Sequence, residues 1–317
     1  MLPSVLPTET DHVPVLAEEV VANLDPRPGE TIVDATFGAG GHAALLAQRL
    51  RGDGRLIAID RDPTVAPFFE RFRREHGVKA RLHHGEFSAV LQHLASNGVQ
   101  ADIVLLDLGV SSMQIDRPER GFSYAVDAPL DMRMDPTAGT SAEDVVNELG
   151  ERELADIFKR YGEERYARQI ARAIAKRRGG RRFERTGDLV EVIKAAIPAP
   201  ARFGEGHPAK RVFQALRIEV NDELGAVERA LPAALEMLRS GGRLGVISFH
   251  SLEDRLVKQF LRREEHGCTC PPDFPVCVCG SEPTLRATPR RAIRPTAAEV
   301  ARNPRAQSAR LRVGTRV

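Results

Sequence analysis

The sequence predicts an α/β fold in which a doubly wound parallel sheet is interrupted by an all-helical insertion. Apolar runs typical of buried strands alternate with segments of helical periodicity as far as Asp107. Three of these runs end in an aspartate, namely Asp34, Asp60 and Asp107. After Arg117 the alternation gives way to about 100 residues dominated by helix signals. Ligands of such folds bind outside the carboxyl ends of the strands, where the three aspartates are expected.

Local patterns predict the boundaries of the individual elements. An entry helix at 17–24 stops at the Asp25-Pro-Arg-Pro-Gly29 stretch, because prolines and a glycine end helices. A fifth strand is predicted at 241–249, and the tail at 309–313 is a candidate for a last strand. The earlier predicted strands span 30–34, 55–60, 80–84 and 101–107, and the helices between them span 43–50, 63–76 and 87–96.

The insertion between the fourth and fifth strands is predicted to be entirely helical. Thr140 and Glu143 match the spacing of a capping box at the start of one helix. Apolar periodicity predicts helices at 151–161 and 163–176, and Thr186 can begin a further helix that ends before Pro198. The sequence thus predicts one discontinuous domain, residues 1–116 and 218–317, and an inserted substrate-recognition domain, residues 117–217.

The stretch Asp34-Ala-Thr-Phe-Gly-Ala-Gly-Gly-His42 joins the first predicted strand to the next helix. Its glycines follow the pattern Gly38-x-Gly40-x-x-Ala43, in which a sharp turn aims backbone N–H groups at a ligand. This pattern is typical of dinucleotide sites and of the nucleoside site of methyltransferases, and it also occurs in plain tight turns.

Two acidic residues bear on the choice of ligand. Asp60, at the end of the second strand, is placed to bind ribose hydroxyls in either kind of nucleotide site. Asp34 would repel a pyrophosphate and attract an ammonium group, which favours S-adenosylmethionine over a dinucleotide. A nicotinamide-dependent dehydrogenase stays open as an alternative at this point.

Charge and composition indicate a cytoplasmic protein with a polyanionic partner. The 317-residue chain is 42% hydrophobic, and the short polar start Met1–Asp11 predicts neither a signal peptide nor a membrane segment. The formal net charge is only +2, but residues 286–316 hold nine arginines and one acid, and Lys176–Arg182 is a second basic cluster. Solvated surface arginines would explain either cluster alone, whereas both together favour a nucleic acid.

All four cysteines lie within twelve residues, as two Cys-x-Cys pairs formed by Cys268, Cys270, Cys277 and Cys279. Four thiolates so close together could bind a tetrahedral zinc ion, although the Cys-x-Cys spacing is shorter than the Cys-x-x-Cys spacing usual in zinc knuckles. A reduced loop without metal is the alternative, and no residue is assigned as a metal ligand. No catalytic cysteine is predicted, because no base partner is identifiable.

A third stretch at the same sheet edge, Ser248–Arg255, is dense in reactive groups. His250 directly follows a predicted strand, which favours a substrate contact or proton acceptor over a structural histidine. Helix capping explains Glu253 and Asp254 equally well. The amphipathic stretch Lys210–Glu223 predicts another helix, whose polar residues fit a solvated face or a site.

Taken together, these motifs resemble the signature stretches of the RsmH (MraW) family over nearly the whole chain. That resemblance implies a Rossmann-like class I methyltransferase that uses S-adenosylmethionine to methylate N4 of a cytosine in the decoding centre of 16S ribosomal RNA. The partner it implies is 16S rRNA in the small ribosomal subunit, with no membrane; the oligomeric state is left open, a homodimer included. The matching stretches are His12-Val-Pro-Val-Leu16, Asp34 to His42, Asp107-Leu-Gly-Val-Ser-Ser112, Arg120-Gly-Phe-Ser123, Pro129-Leu-Asp-Met-Arg-Met134, Arg211-Val-Phe-Gln-Ala-Leu-Arg217, Asn221-Asp-Glu-Leu224 and Ser248-Phe-His-Ser-Leu-Glu-Asp-Arg255.

The resemblance also carries cofactor contacts onto individual positions. It places Asp60 on the ribose and Phe87, within Gly85-Glu-Phe-Ser88, near the adenine. The full set of implied cofactor-binding residues is Gly40, Gly41, His42, Asp60, Phe87, Asp107 and Gln114.

The chemistry of the reaction suggests catalytic residues. A cytosine amine is a weak nucleophile, so the enzyme must orient it and accept hydrogen bonds from its protons. Asp107 and His250 are the predicted catalytic residues, with Ser111 and Ser112 as helpers. The flipped base needs a stacking partner, for which Phe249 and Phe122 are candidates. A non-catalytic RNA-binding assembly factor remains a third functional class.

Overall fold

The computed structural model describes residues 14–199, 207–268, 270 and 279–317. Its centre is a seven-stranded sheet in the order β3-β2-β1-β4-β5-β7-β6, and the predicted α/β fold class is confirmed. The strands are β1 (Thr31–Asp34), β2 (Arg55–Asp60), β3 (Lys79–His84), β4 (Ala101–Asp107), β5 (Leu238–Ser248), β6 (Leu285–Ala287) and β7 (Arg310–Arg316).

Helices connect these strands and form the region between β4 and β5. No helix in the described ranges is both long and apolar enough to cross a membrane. The helices are α1 (Ala17–Leu24), α2 (Gly41–Leu50), α3 (Ala66–His76), α4 (Phe87–Ser96), α5 (Ser112–Ile115), α6 (Ala142–Glu148), α7 (Glu151–Gly162), α8 (Ala167–Arg178), α9 (Thr186–Ala196), α10 (Lys210–Asn221), α11 (Glu223–Met237), α12 (Ser251–His266) and α13 (Ala297–Arg302).

Strand β1 is the fully buried centre of the parallel part of the sheet. It pairs with β2 on one side and β4 on the other, so that Val33 lies opposite both Ile57 and Val104. The chain winds outward from β1 to β3 and then returns to β4 on the other side, which makes the β1–β4 boundary the switch point of the sheet. Ligand crevices of doubly wound sheets open at this point, beside the ends of β1 and β4.

A second compact unit comprises residues 61–63 and Gly109–Arg229. It has its own hydrophobic core, in which Phe158 and Phe183 are fully buried. The first unit comprises the residues up to Asp60, Thr64–Leu108 and Ala230–Val317. The predicted domain boundaries at residues 117 and 217 both lie inside the second unit, and the division itself falls within α11.

The predicted capping box at Thr140 and Glu143 is wrong by one residue. Ser141 and Asp144 form the box instead, with Asp144 N–H donating to Ser141 Oγ at 3.2 Å and Ser141 N–H donating to Asp144 Oδ2 at 2.9 Å. Glu143 N–H donates to the carbonyl of Leu130 at 2.6 Å, a long-range bond that the local pattern does not reveal. Helix α6 therefore begins at Ala142.

The chain's last strand is fixed by arginines of the tail. Asp254, buried on α12, accepts hydrogen bonds from Arg310 at 2.7 Å and from Arg312 at 2.7 Å. Burial alone would raise the pKa of Asp254, but the two guanidinium groups outweigh it and lower the pKa overall. Arg316 donates to the carbonyls of Leu235 and Glu236 at 3.0 and 3.1 Å. Part of the basic tail thus serves packing of the fold.

We predict that Asp254→Asn destabilises the protein by about 2 kcal/mol, because it weakens charged hydrogen bonds to two arginines of β7. Urea denaturation followed by circular dichroism measures the change. Asp156→Asn, at an exposed position of α7, is the matched control and should leave the midpoint unchanged. Equal midpoints for the two variants would contradict the role assigned to Asp254.

Candidate active site

The glycine loop between β1 and α2 is held in place by the end of β2. Gly38 N–H donates to Asp60 Oδ2 at 2.7 Å, and Phe37 N–H donates to the carbonyl of Ile59 at 3.0 Å. Gly40 then takes a left-handed conformation, with φ of 81°, and forms the N-cap of α2. Asp60, which is predicted to bind a ribose, therefore also fixes the shape of the loop.

The loop glycines are required by the chain's own packing. A Cβ on Gly40 would lie 2.7 Å from the ring of Phe37, and a Cβ on Gly41 would lie 2.6 Å from Pro14 Cγ. Phe37 is itself buried and meets the ring of Phe69 edge-on, with centroids 5.5 Å apart. Close approach of a ligand to these two glycines stays a prediction.

Asp34 and His42, both buried, and the partly exposed Asp107 form a cluster at the switch point. His42 Nε2 lies 3.6 Å from Asp107 Oδ2, which is too long for a hydrogen bond. Thr36 links the two acids, since its N–H donates to Asp34 Oδ1 at 3.2 Å and its hydroxyl accepts from Asp107 N–H at 2.6 Å. Within the described ranges, Asp34 Oδ2, Asp107 Oδ1 and both ring nitrogens of His42 are buried without a hydrogen-bond partner.

The cluster shifts the protonation equilibria of its members. Burial raises the pKa of Asp34 to about 7, and Asp107 and Asp60 add to the rise while His42 opposes it. Burial would lower the pKa of His42, but the neighbouring Asp107 and Asp34 outweigh burial and raise it. Buried carboxylate oxygens without a hydrogen-bond partner, such as Asp34 Oδ2 and Asp107 Oδ1 in the described ranges, are suited to a cationic ligand, because an opposite charge favours the ionised form of the acid.

Phe87 stands at the neighbouring strand end. It is the first residue of α4, half-buried, and directly follows Glu86, whose carboxylate caps the helix at Ser88 N–H with a distance of 2.8 Å. Gly85 N–H donates to the carbonyl of Asp60 at 2.9 Å. The ends of β2 and β3 therefore bring Phe87 and Asp60 to the same edge of the sheet.

Gln114 belongs to the second unit and is buried there. Its amide nitrogen donates to Asp62 Oδ2 at 3.0 Å, and its carbonyl oxygen accepts from Ser111 N–H at 3.1 Å. Asp62 also binds Arg120 at 2.9 Å. The sequence reasoning missed Asp62, although an acid so soon after the strand end at Asp60 was a usable signal. The cofactor role of Gln114 stays a prediction.

His250 follows β5, as predicted, and forms the N-cap of α12. Its Nδ1 accepts from Glu253 N–H at 3.4 Å, while Glu253 Oε2 accepts from the N–H of Phe249 at 2.8 Å. Its Nε2 lies 3.2 Å from Glu253 Oε1 without the alignment of a hydrogen bond. The Nδ1 atom of His250 therefore caps the helix, and the predicted catalytic role concerns Nε2.

Several predicted site residues lie outside the described part of the chain, and Phe122 packs into a hydrophobic core. His12 and Val13 of the first matching stretch and Cys277 of the cysteine cluster lie outside the described residues, and the side chain of Ser112 is not described. Phe122, a candidate stacking residue, packs against the core of the second unit. Phe249 is half-buried at the end of β5.

Comparison with known proteins decides the family. A model of the MraW methylase family matches residues 9–317. The chain belongs to the MraW methylase family. Relatives named ribosomal RNA small subunit methyltransferase H come from Heliobacterium modesticaldum, Symbiobacterium thermophilum and Geobacter sulfurreducens, and are 51, 52 and 51% identical. The alignments cover 96, 95 and 96% of this chain and 98, 95 and 99% of those relatives.

Membership in the MraW methylase family confirms the resemblance drawn from the sequence, and with it the prediction of a methyltransferase. The residues present fit a cationic methyl donor, because Asp34 Oδ2 and Asp107 Oδ1, two buried carboxylate oxygens without a hydrogen-bond partner in the described ranges, flank the switch point of the sheet. A dinucleotide pyrophosphate would be repelled by the same two groups.

We predict that Asp34→Asn stabilises the ligand-free protein more at about pH 8 than at about pH 5. Folding raises the pKa of Asp34 to about 7, so the folded protein loses stability as pH rises from about 4 to about 7. The asparagine removes that loss, and its advantage should grow by about 3 kcal/mol between the two pH values. Chemical denaturation at both values measures it.

Asp156→Asn is the control for this experiment, because Asp156 is exposed. Its difference from the unsubstituted protein should be the same at both pH values. An equally constant difference for Asp34→Asn would show that Asp34 ionises normally in the folded protein.

Proposed function

We propose that this chain transfers a methyl group from S-adenosylmethionine to N4 of a cytosine in the decoding centre of 16S ribosomal RNA. The observation that carries the proposal is the cluster of Asp34, His42 and Asp107 at the switch point of the sheet, in which Asp34 Oδ2 and Asp107 Oδ1 are buried without a hydrogen-bond partner in the described ranges. The substrate follows from the MraW family and from relatives named small subunit ribosomal RNA methyltransferases.

S-adenosylmethionine is the methyl donor, and when bound it supplies an electrophilic methyl group on a sulfonium ion. Asp34 is proposed to pair with its ammonium group, and Asp60 to hold its ribose. Phe87 is proposed to line the adenine pocket. The remaining proposed contacts are Gly40, Gly41 and His42 at the start of α2, together with Asp107 and Gln114.

Asp107 is proposed to orient the cytosine amine. Its Oδ2 faces His42 at 3.6 Å, whereas its Oδ1 has no partner within the described ranges. An unpaired buried acceptor can take a hydrogen bond from the amine and so aim the nitrogen lone pair at the methyl group. His42, at 3.6 Å, is proposed to keep the carboxylate in this orientation.

His250 is proposed as a second acceptor for the amine or for the base. Its Nδ1 is committed to the helix cap, and its Nε2 is the atom left for the substrate. Phe249 precedes it and is half-buried, which suits a stacking contact with a flipped base.

The basic cluster at the end of α8 contains arginines that bond to the fold and basic residues that are exposed. Arg177 donates to the carbonyl of Arg181 at 2.7 Å, and Arg178 donates to the carbonyl of Val146 at 2.8 Å, so both serve the fold of the second unit. Lys176 and the side chain of Arg181 are exposed. We propose these two as contacts for RNA phosphates.

Methyl transfer to ribosomal RNA tests the proposed function directly. Tritium-labelled S-adenosylmethionine is incubated with the protein and small ribosomal subunits from a strain that lacks this chain. Label should appear in 16S rRNA, and nucleoside mass spectrometry should identify N4-methylcytosine. Naked 16S rRNA in a parallel reaction shows whether the assembled subunit is required. Absence of label in both substrates would overturn the proposal.

We predict that Asp107→Asn lowers kcat in this assay by about 100-fold, because the variant lacks the charged acceptor for the amine. The dissociation constant of S-adenosylhomocysteine should change much less. A loss confined to cofactor affinity would assign Asp107 to binding alone.

For His250 we predict that both Ala and Asn variants lose about tenfold or more in kcat. Asparagine is a favoured N-cap residue, so His250→Asn preserves the start of α12 while removing the imidazole. His250→Ala also loses the cap, at about 1 kcal/mol of stability. Full activity in His250→Asn would leave His250 with a structural role only.

We predict that Lys176→Glu combined with Arg181→Glu weakens RNA binding and flattens its salt dependence. Each lost phosphate contact should reduce the slope of log K against log salt by about 0.7 to 0.9. The control variant combines Arg49→Glu with Arg74→Glu. Both arginines are exposed near the carboxyl ends of α2 and α3. Identical slopes for the two double variants would exclude the cluster from the interface.

A further inference from the structure

Three cysteines outside the proposed active site lie side by side in the first unit. Cys268 and Cys270 follow the carboxyl end of α12, and Cys279 precedes β6. The sulfur atoms of Cys268 and Cys279 are 3.8 Å apart, and all three sulfur atoms lie within 4.8 Å of one another. Cys277 lies outside the described residues.

The cysteines lie on two chain segments, one after α12 and one before β6, and hydrogen bonds join these segments. Thr284 N–H donates to the carbonyl of Glu264 at 2.9 Å, and the Thr284 hydroxyl donates to the Glu264 carboxylate at 2.7 Å. Gly267, with φ of 68°, packs so closely on Glu282 that a Cβ would lie 2.5 Å from its carbonyl carbon. The thiols are therefore brought together by a fixed closure of the chain.

We propose that Cys268, Cys270 and Cys279 bind a zinc ion as thiolates. Zinc–sulfur bonds of about 2.3 Å in a tetrahedron place neighbouring sulfur atoms about 3.8 Å apart, which matches Cys268 and Cys279. A disulfide would need about 2.0 Å and would leave one of the three thiols unused. Soft thiolate ligands without oxygen donors select zinc over magnesium or calcium.

The bound ion would connect α12 to the antiparallel edge of the sheet. Strand β6 pairs with β7, which in turn pairs with β5. Leu261 of α12 packs on β7 at Gly314, where a Cβ would lie 2.9 Å from it. A zinc ion at the end of α12 would thus restrain the same helix whose first residues follow His250, at a distance from the methyl-transfer chemistry.

Metal analysis of the full-length protein tests this proposal. The protein is purified under reducing conditions, without a metal-affinity column, from cells supplied with zinc, and its metal content is measured by mass spectrometry. We expect about one zinc per chain. Cys268→Ser, Cys270→Ser and Cys279→Ser should each lower the content at least about fivefold, since a lost thiolate opens the site. Ser281→Ala, just beyond Cys279, is the control and should keep the zinc.

A second measurement uses the unsubstituted protein and does not depend on the variants folding. Removal of zinc by a chelator should lower the melting temperature, and zinc chloride should restore it. Cobalt added in place of zinc should give the absorption band of a thiolate–cobalt bond. Three outcomes would overturn the proposal: no uptake of either metal, a Cys268–Cys279 disulfide in the freshly purified protein, or equal zinc in all variants.

Discussion

Burial of the Asp34 carboxyl group at the end of the central strand is the constraint on which the site depends. The parallel pairing of β1 with both neighbours leaves Asp34 1% exposed, beside a second acid and an imidazole. Such a group costs stability unless a ligand supplies the missing charge. Hydrogen bonds from Thr36 N–H to Asp34 and from Gly38 N–H to Asp60 fix the loop around this carboxyl group. The fold thus maintains an acidic cluster whose natural complement is a cation.

Arginine in this chain serves structure as well as recognition. Arg310, Arg312 and Arg316 attach β7 to α12 and to the end of α11, and Arg120 satisfies buried Asp62. These hydrogen bonds hold the four guanidinium groups in fixed positions within the fold. Composition alone therefore overstates the basic surface, and the exposed members of each cluster are the ones that bear on a polyanionic partner.

Local sequence patterns predicted every described strand except β6, and most helices, because burial and periodicity are local properties. Strand β2 and helix α4 begin and end at the predicted residues, and the three aspartates stand at strand ends. Contacts between residues that are distant in the sequence could not be predicted from local patterns. Glu143 N–H donates to the carbonyl of Leu130, which lies 13 residues away, and short β6 exists through its pairing with β7. The link between Gln114 and Asp62 likewise joins residues distant in sequence. Family resemblance supplied the substrate, which no local pattern contains.

The position of the Asp34 pKa near 7 has a consequence for how the protein handles protons. At neutral pH about half of the molecules carry a proton on this carboxyl group. In the proposed pairing with an ammonium group, the cation favours the ionised form of Asp34, so binding expels a fraction of a proton into solution. The proposal therefore implies that the heat of binding depends on the ionisation enthalpy of the buffer. It also implies that acidification below neutrality opposes binding, which would couple cofactor occupancy to the pH around the protein.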